Sequence, residues 1–201
     1  MHGETVGCYV DQSVWKQLIP YLKGYVTHVI AKGDTIWNIA GAYGTTQEAV
    51  LRANPSIQVN ALQPGMRIYV PLAFPLVSEE VAYTSILLAF IIEGLCIRYP
   101  FLTIGNIGTS VMEKEIPYIR IGTGATEVFY NASFHANEWI TTPLLLKFAE
   151  EYASAYAQNG IINGEIASSL YDTYSLYLVP MVNPDGVDLV NGVLGNARYE
   201  Q

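Results

Sequence analysis

Apolar positions between residues 27 and 71 alternate, then recur at helical spacing, then alternate again. Thr27-His28-Val29-Ile30 reads as a short strand. Lys32-Gly33-Asp34-Thr35 turns the chain, with Asp34 or Thr35 placed to cap a helix. Ile36, Trp37, Ile39, Ala40 and Tyr43 follow at helical spacing, and Gly44 ends that helix. Thr45 or Thr46 caps a second helix through Ala49, Val50 and Leu51, which Asn54-Pro55 stops. After a loop, Gly65 leads into Arg67-Ile68-Tyr69-Val70, a second strand closed by Pro71. The predicted order is β-α-α-β, and the predicted unit spans 26–71.

The flanks carry less signal. In residues 1–25, Val14 to Ile19 is long enough for a helical turn or two, and Pro20 and Gly24 suggest a linker. Residues 72–82 read as a connector, kept extended by Pro71 and Pro75. From Tyr83 the rhythm changes. Thr84 or Ser85 caps a helix that Pro100 stops after Tyr99. Strand-like runs follow at Thr103–Ile107, Ile116–Ile121, Val128–Ala132 and Ser175–Val182. Between the last two lies a long helical segment from Thr141 to about Gln158, with Leu144, Leu145, Phe148, Tyr152 and Tyr156 at steps of three and four. Strands interleaved with long helices indicate an α/β sheet, in which catalytic groups sit where strands end. Gly122-Thr123-Gly124 reads as a hairpin turn, because another strand and no helix follows it.

Composition narrows the class. Apolar residues make up 51% and charged residues 14% of the 201, so a buried core is expected. The net charge of −8 comes without a Lys/Arg cluster, which argues against a nucleic-acid partner. Ile86 to Ile92 is apolar but interrupted by Glu93 and Gly94, far short of the ~20 residues of a membrane span. No secretory signal is visible at Met1-His2-Gly3-Glu4. Cys8 and Cys96 form no C-x-x-C and read as free thiols, Cys96 buried.

Gly33-Asp34-Thr35, Tyr43-Gly44-Thr45-Thr46, Ala53-Asn54-Pro55 and Gly65 to Pro71 stand in an order that resembles the LysM module. LysM modules bind N-acetylglucosamine-containing glycans such as peptidoglycan or chitin. The resemblance places a shallow groove between Gly33, Asp34, Thr35 and Ile36 on one side and Pro55, Ser56 and Ile57 on the other. The plainer alternative is that Asp34, Thr35 and Asn54 only cap helices and Ile57 only fills the core. Tyr21 to Val26 resembles the closing segment of another such unit, which makes 1–25 a candidate remnant of a first module.

Phe134-His135-Ala136-Asn137-Glu138-Trp139 carries the chemistry of the second half. His135 and Glu138 are an H-x-x-E step just beyond a predicted strand. An imidazole and a carboxylate so spaced can meet one divalent ion, and zinc accepts that pair, with a third protein ligand and a water completing a catalytic site. The other histidines, His2 and His28, lie in the first part of the chain. By itself the step is weak. Its order with Ile107–Val111, Glu115–Gly122 and Val182-Asn183-Pro184-Asp185-Gly186 resembles the M14 zinc carboxypeptidases, and within them the bacterial γ-D-glutamyl-diamino-acid endopeptidases.

That resemblance implies Zn²⁺, with His135 and Glu138 as the first two ligands and Trp139 packed beside them. Asn137 stands where many members carry Arg, which fits an unusual peptide substrate. Asn183 to Gly186 shapes the site as an Asp-Gly turn and supplies no ligand; Asp185 is not read as catalytic. The family's third zinc ligand, oxyanion arginine and general-base glutamate belong downstream of Gly186, and none is recognised before Gln201. Asp188, Arg198 and Glu200 stand in no family context. The expected fold is an α+β LysM module followed, over 83–201, by a truncated α/β mixed-sheet zinc-carboxypeptidase domain. The expected partners are peptidoglycan glycan and stem peptide, at the cell wall or a spore. The rival expectation is a non-catalytic glycan-binding protein with an incomplete peptidase half.

Overall fold

Two units divide between Phe74 and Pro75 in the computed structural model, which describes residues 24–72, 74–78 and 80–193. In the first, β1 (Tyr25–Val29) pairs antiparallel with β2 (Arg67–Pro71), His28 lying opposite Ile68. Between them run α1 (Ile36–Ala42) and α2 (Gln47–Ala53). Thr35 opens α1 through a capping box: its hydroxyl accepts from Asn38 N at 3.1 Å, and Asn38 Oδ1 accepts from Thr35 N at 2.8 Å. Thr46 opens α2 in the simpler way, its hydroxyl accepting from Ala49 N. Ile30, Ile36, Ile39, Ala40, Val50, Ile68 and Val70 fill the core, each larger side chain contributing about 1.5–3 kcal/mol of burial. Buried Asn54 donates to Val50 O at 2.7 Å and Tyr69 O at 2.6 Å, and accepts from Tyr69 N at 2.9 Å. It thereby ties the end of α2 to β2, more than a cap alone would do.

β1 starts at Tyr25, ahead of the predicted Thr27, and so takes in Tyr25 and Val26. Those two residues belong to this unit's first strand rather than to the close of a preceding one. The remainder of the suggested first module, residues 1–23, lies outside the described residues, as does Cys8.

The second unit is built on a four-stranded mixed sheet whose strands lie side by side in the order 103–109, 115–121, 174–179, 126–131. It follows α3 (Ser85–Arg98), which Thr84 caps by accepting from Leu87 N. No described helix is long and apolar enough to cross a membrane. The strands are β3 (Thr103–Thr109), β4 (Glu115–Ile121), β5 (Thr126–Asn131) and β8 (Tyr174–Val179). β8 runs antiparallel to β4 and parallel to β5. The crossover from β5 to β8 carries α4 (Thr141–Ala157), the small hairpin β6 (Ile161–Ile162) and β7 (Glu165–Ile166), and α5 (Ala167–Thr173). α6 (Pro184–Val190) closes the described chain. The core joins Leu88 and Leu95 of α3, Ile119 and Ile121 of β4, Leu146 and Tyr152 of α4, and Leu178 of β8.

Val77, in the predicted connector, is buried in this unit. Glu150 of α4 accepts from Leu76 N at 2.7 Å and Val77 N at 3.0 Å, and pairs with Arg98 at 3.3 Å. A buried carboxylate tolerates its desolvation only with such partners.

The predicted hairpin at Gly122-Thr123-Gly124 is corrected. β4 and β5 are not neighbours, because β8 lies between them. The connection instead crosses the start of β8 at close range. A Cβ on Gly122 would fall 2.0 Å from Tyr174 O, and one on Gly124 would fall 1.9 Å from the Thr173 carbonyl carbon. The two glycines serve this backbone approach.

Candidate metal centre

Beyond the ends of β5 and β8 their hydrogen bonding continues into the loops. Ala132 N donates to Val179 O at 2.9 Å, Val182 N to Ala132 O at 3.0 Å, and Asn183 N to Ser133 O at 3.1 Å. Ser133 then turns the chain with φ +49°, a left-handed conformation that is uncommon for a residue with a side chain. The cost is offset locally. Ser133 N donates to Thr141 Oγ1 at 2.8 Å, and its hydroxyl lies 2.7 Å from the Thr142 hydroxyl. Thr142 Oγ1 in turn donates to Pro180 O at 2.6 Å.

This hydroxyl cluster brackets the segment from Ser133 to Glu138, which contains one 3-10 turn, Ala136–Glu138. Glu138 N donates to His135 O at 3.0 Å, and Glu138 O accepts from Thr141 Oγ1 at 2.8 Å. His135 is the extended residue that precedes the turn, and Glu138 is the turn's last residue. Both residues are exposed. Among the described residues neither the imidazole nor the carboxylate is engaged in a hydrogen bond or an ion pair. The Phe134 ring stands edge-on to His135, with centroids 5.4 Å apart.

Packed on that turn is α6. Asn183 caps it by accepting from Gly186 N at 2.9 Å, with Pro184 in the first turn. The predicted Asp-Gly turn is therefore the opening of a helix. A Cβ on Gly186 would lie 2.7 Å from Ala136 Cβ. Asp185 is structural: it accepts from Ser110 Oγ at 2.9 Å and Met112 N at 3.0 Å. Asp188 accepts from Ser85 N at 2.7 Å, from the Ser85 hydroxyl, and from Lys114 Nζ at 2.7 Å. Lys114 also stands 3.5 Å from Asp185. The two carboxylates thus fasten α6 to the β3–β4 loop and to the start of α3.

In the first unit, Gly33 (φ +96°), Thr35, Pro55 and Ser56 are exposed, and Asp34 and Ile57 are half-buried. Ile36 is 2% exposed and sits in the core, which leaves its backbone rather than its side chain for a ligand. Ile57 packs against the same core, so one cluster supports both predicted sides of the groove.

Comparison with known proteins settles the family. The profile described as zinc carboxypeptidase matches residues 90–199, and that described as LysM domain matches 28–71. The chain belongs to the zinc carboxypeptidase family. It carries a LysM domain ahead of the peptidase unit. Gamma-D-glutamyl-L-diamino acid endopeptidase 1 of Lysinibacillus sphaericus is 43% identical over 84% of this chain and 56% of that protein. A zinc carboxypeptidase of Saccharothrix mutabilis subsp. capreolus is 36% identical over 42% of this chain and 20% of its own length. Carboxypeptidase A2 of Mus musculus is 32% identical over 40% and 19%. The chain thus spans about half the length of the first of these relatives and less of the others.

For a zinc carboxypeptidase the donor set at 135 and 138 is chemically apt. Nitrogen and carboxylate oxygen are both zinc ligands, and both side chains are uncommitted. They amount to two ligands: no group of three or more His, Cys, Asp or Glu side chains placed to hold a metal occurs among the described residues. Sequence reasoning missed Ser133, Thr141, Thr142 and Lys114. Asn183-Pro184 did carry the signature of a helix start, which would have placed α6. Trp37, 72% exposed directly after the Gly33–Ile36 run, is an aromatic surface that the predicted groove omitted.

Proposed function

We propose that this protein works on peptidoglycan at the cell wall or on a spore. In this reading the LysM domain holds the glycan and the peptidase unit offers His135 and Glu138 to zinc. The bond attacked is the γ-D-glutamyl to diamino-acid amide of the stem peptide. The observation that carries the reading is the His135–Glu138 turn: two exposed, uncommitted ligand side chains on backbone fixed at both ends by Ser133, Thr141 and Thr142. The 43% identity to an endopeptidase of that specificity supports the choice of bond.

Bound zinc supplies a polarised carbonyl and an activated water. The chain's own part is to bind and orient. The hydroxyl cluster sets the ligand turn, and Gly186 lets α6 back it closely. Gly33, Thr35, Pro55, Ser56, Ile57 and the Ile36 backbone form the glycan contact, and Asp34 belongs to the site through the turn it closes. Anchoring on glycan raises the effective concentration of stem peptide at the peptidase unit.

A second reading is glycan binding without catalysis. It needs only the LysM domain, matched over residues 28–71. One experiment separates the two. Zinc-loaded protein is incubated with muropeptides containing the γ-D-glutamyl-diamino-acid bond, and products are followed by mass spectrometry. The first reading expects release of the diamino-acid fragment, abolished by His135→Ala. Binding to sacculi without release supports the second. Failure to co-sediment with sacculi contradicts both.

A further inference from the structure

Asp34, a predicted glycan contact, is already engaged within its own turn. Its Oδ2 accepts from Ala31 N at 2.8 Å and lies 2.8 Å from His28 Nε2. The turn is closed in the other direction by Asp34 N donating to Ala31 O at 3.1 Å. His28, on β1, has its Nδ1 3.1 Å from the Tyr43 hydroxyl at the end of α1, and the two rings meet edge-on with centroids 5.7 Å apart. On the far side of the turn Asn38 accepts from Thr35 N and donates to Gly33 O at 3.3 Å.

The chemistry fixes the tautomer. An ionised carboxylate only accepts, so His28 Nε2 must carry the proton; in the neutral ring Nδ1 is then an acceptor for the Tyr43 O–H. Each polar atom of the imidazole has a partner of the right kind. The ring thus links a strand, a helix end and the turn in one chain of hydrogen bonds.

We propose that His28 is a positioning residue for the glycan site. It holds the Asp34 carboxylate inside the turn, so that Gly33 to Thr35 present a fixed backbone to an N-acetylglucosamine oligosaccharide. Asp34 then acts through the turn's shape rather than by touching sugar. The inference rests on the glycan-binding reading of the LysM domain.

The test compares wild type, His28→Phe and His28→Gln in the full chain. Each is titrated calorimetrically with an N-acetylglucosamine tetrasaccharide, and hydrogen exchange at the Gly33, Asp34 and Thr35 amides is followed by NMR. His28→Phe keeps a ring beside Tyr43 but loses both nitrogens. It is expected to bind roughly tenfold more weakly, the loss of one hydrogen bond to a charged group, with faster exchange at those amides. His28→Gln, whose amide can still donate to Asp34, is expected to recover most of the affinity. A folded His28→Phe with wild-type affinity and exchange overturns the proposal, as does a folded His28→Gln no better than His28→Phe. Should His28→Phe fail to fold, long-range ¹H–¹⁵N spectra of the wild type decide: a neutral ring protonated on Nε2 supports the proposal, and one protonated on Nδ1 overturns it. Wild type that binds neither the tetrasaccharide nor sacculi would overturn the glycan reading instead. The exchange comparison would then judge the lock by itself.

Discussion

Gly186 approaches Ala136 so closely that a methyl group on the glycine would stand 2.7 Å from the alanine Cβ. The contact joins the Asn183-Pro184-Asp185-Gly186 run to the turn carrying His135 and Glu138. Two motifs nearly fifty residues apart are thereby one piece of structure. Gly186→Ala must displace one of them, and overpacking of this kind costs about 1–3 kcal/mol. Chemical denaturation is expected to show that loss. Zinc titration is expected to show a weaker site, because Ala136 lies in the turn between His135 and Glu138.

Lys114 has the opposite role, attraction rather than clearance. Its ammonium lies 2.7 Å from Asp188 and 3.5 Å from Asp185, and both aspartates are buried. Lys114→Met would take this cation away from both carboxylates. Breaking a buried pair from one side typically costs about 3–5 kcal/mol, and the partly exposed lysine argues for the lower end. Denaturant unfolding of Lys114→Met, with Lys114→Arg as the variant that keeps the charge, checks this.

Acid stability in the first unit should report on Asp34. The Ala31 backbone amide, then the His28 side chain, hold its carboxyl below the usual 3.8. A carboxyl lowered on folding stabilises the native state above its unfolded pKa, and that contribution is lost as pH falls through the folded value. The melting temperature of the LysM domain is therefore expected to carry no Asp34 contribution to its pH dependence from neutrality down to about 3.8, and to fall below it. Asp34→Asn should remove part of that fall. Circular dichroism melts across the range measure it.

How much of this was written in the sequence depends on how local each signal is. Thr35, Thr46 and Thr84 announced their helices because a cap acts within one turn. The β6–β7 hairpin escaped because strands of two residues show no alternation. Strand order escaped for a different reason. Gly122 to Gly124 looks like a hairpin turn by composition, yet the long crossover through α4 delivers β8 between β4 and β5. At the candidate metal centre the His135–Glu138 spacing could be read from the sequence, but the support of its turn could not. The Ser133 hydroxyl meets Thr142 only because Ser133 adopts a left-handed backbone, which no neighbouring residue type dictates. Ile36 shows the converse: an apolar residue beside a candidate binding turn is recognisable, but whether it faces ligand or core is decided by packing.

We propose that His135 and Glu138 hold one zinc ion together. Calorimetric zinc titration of wild type, His135→Ala, Glu138→Ala and the double variant tests it most directly. One site is expected in the wild type, with each single substitution removing it and the double substitution adding no further loss. Zinc affinity unchanged in either single variant would contradict the account.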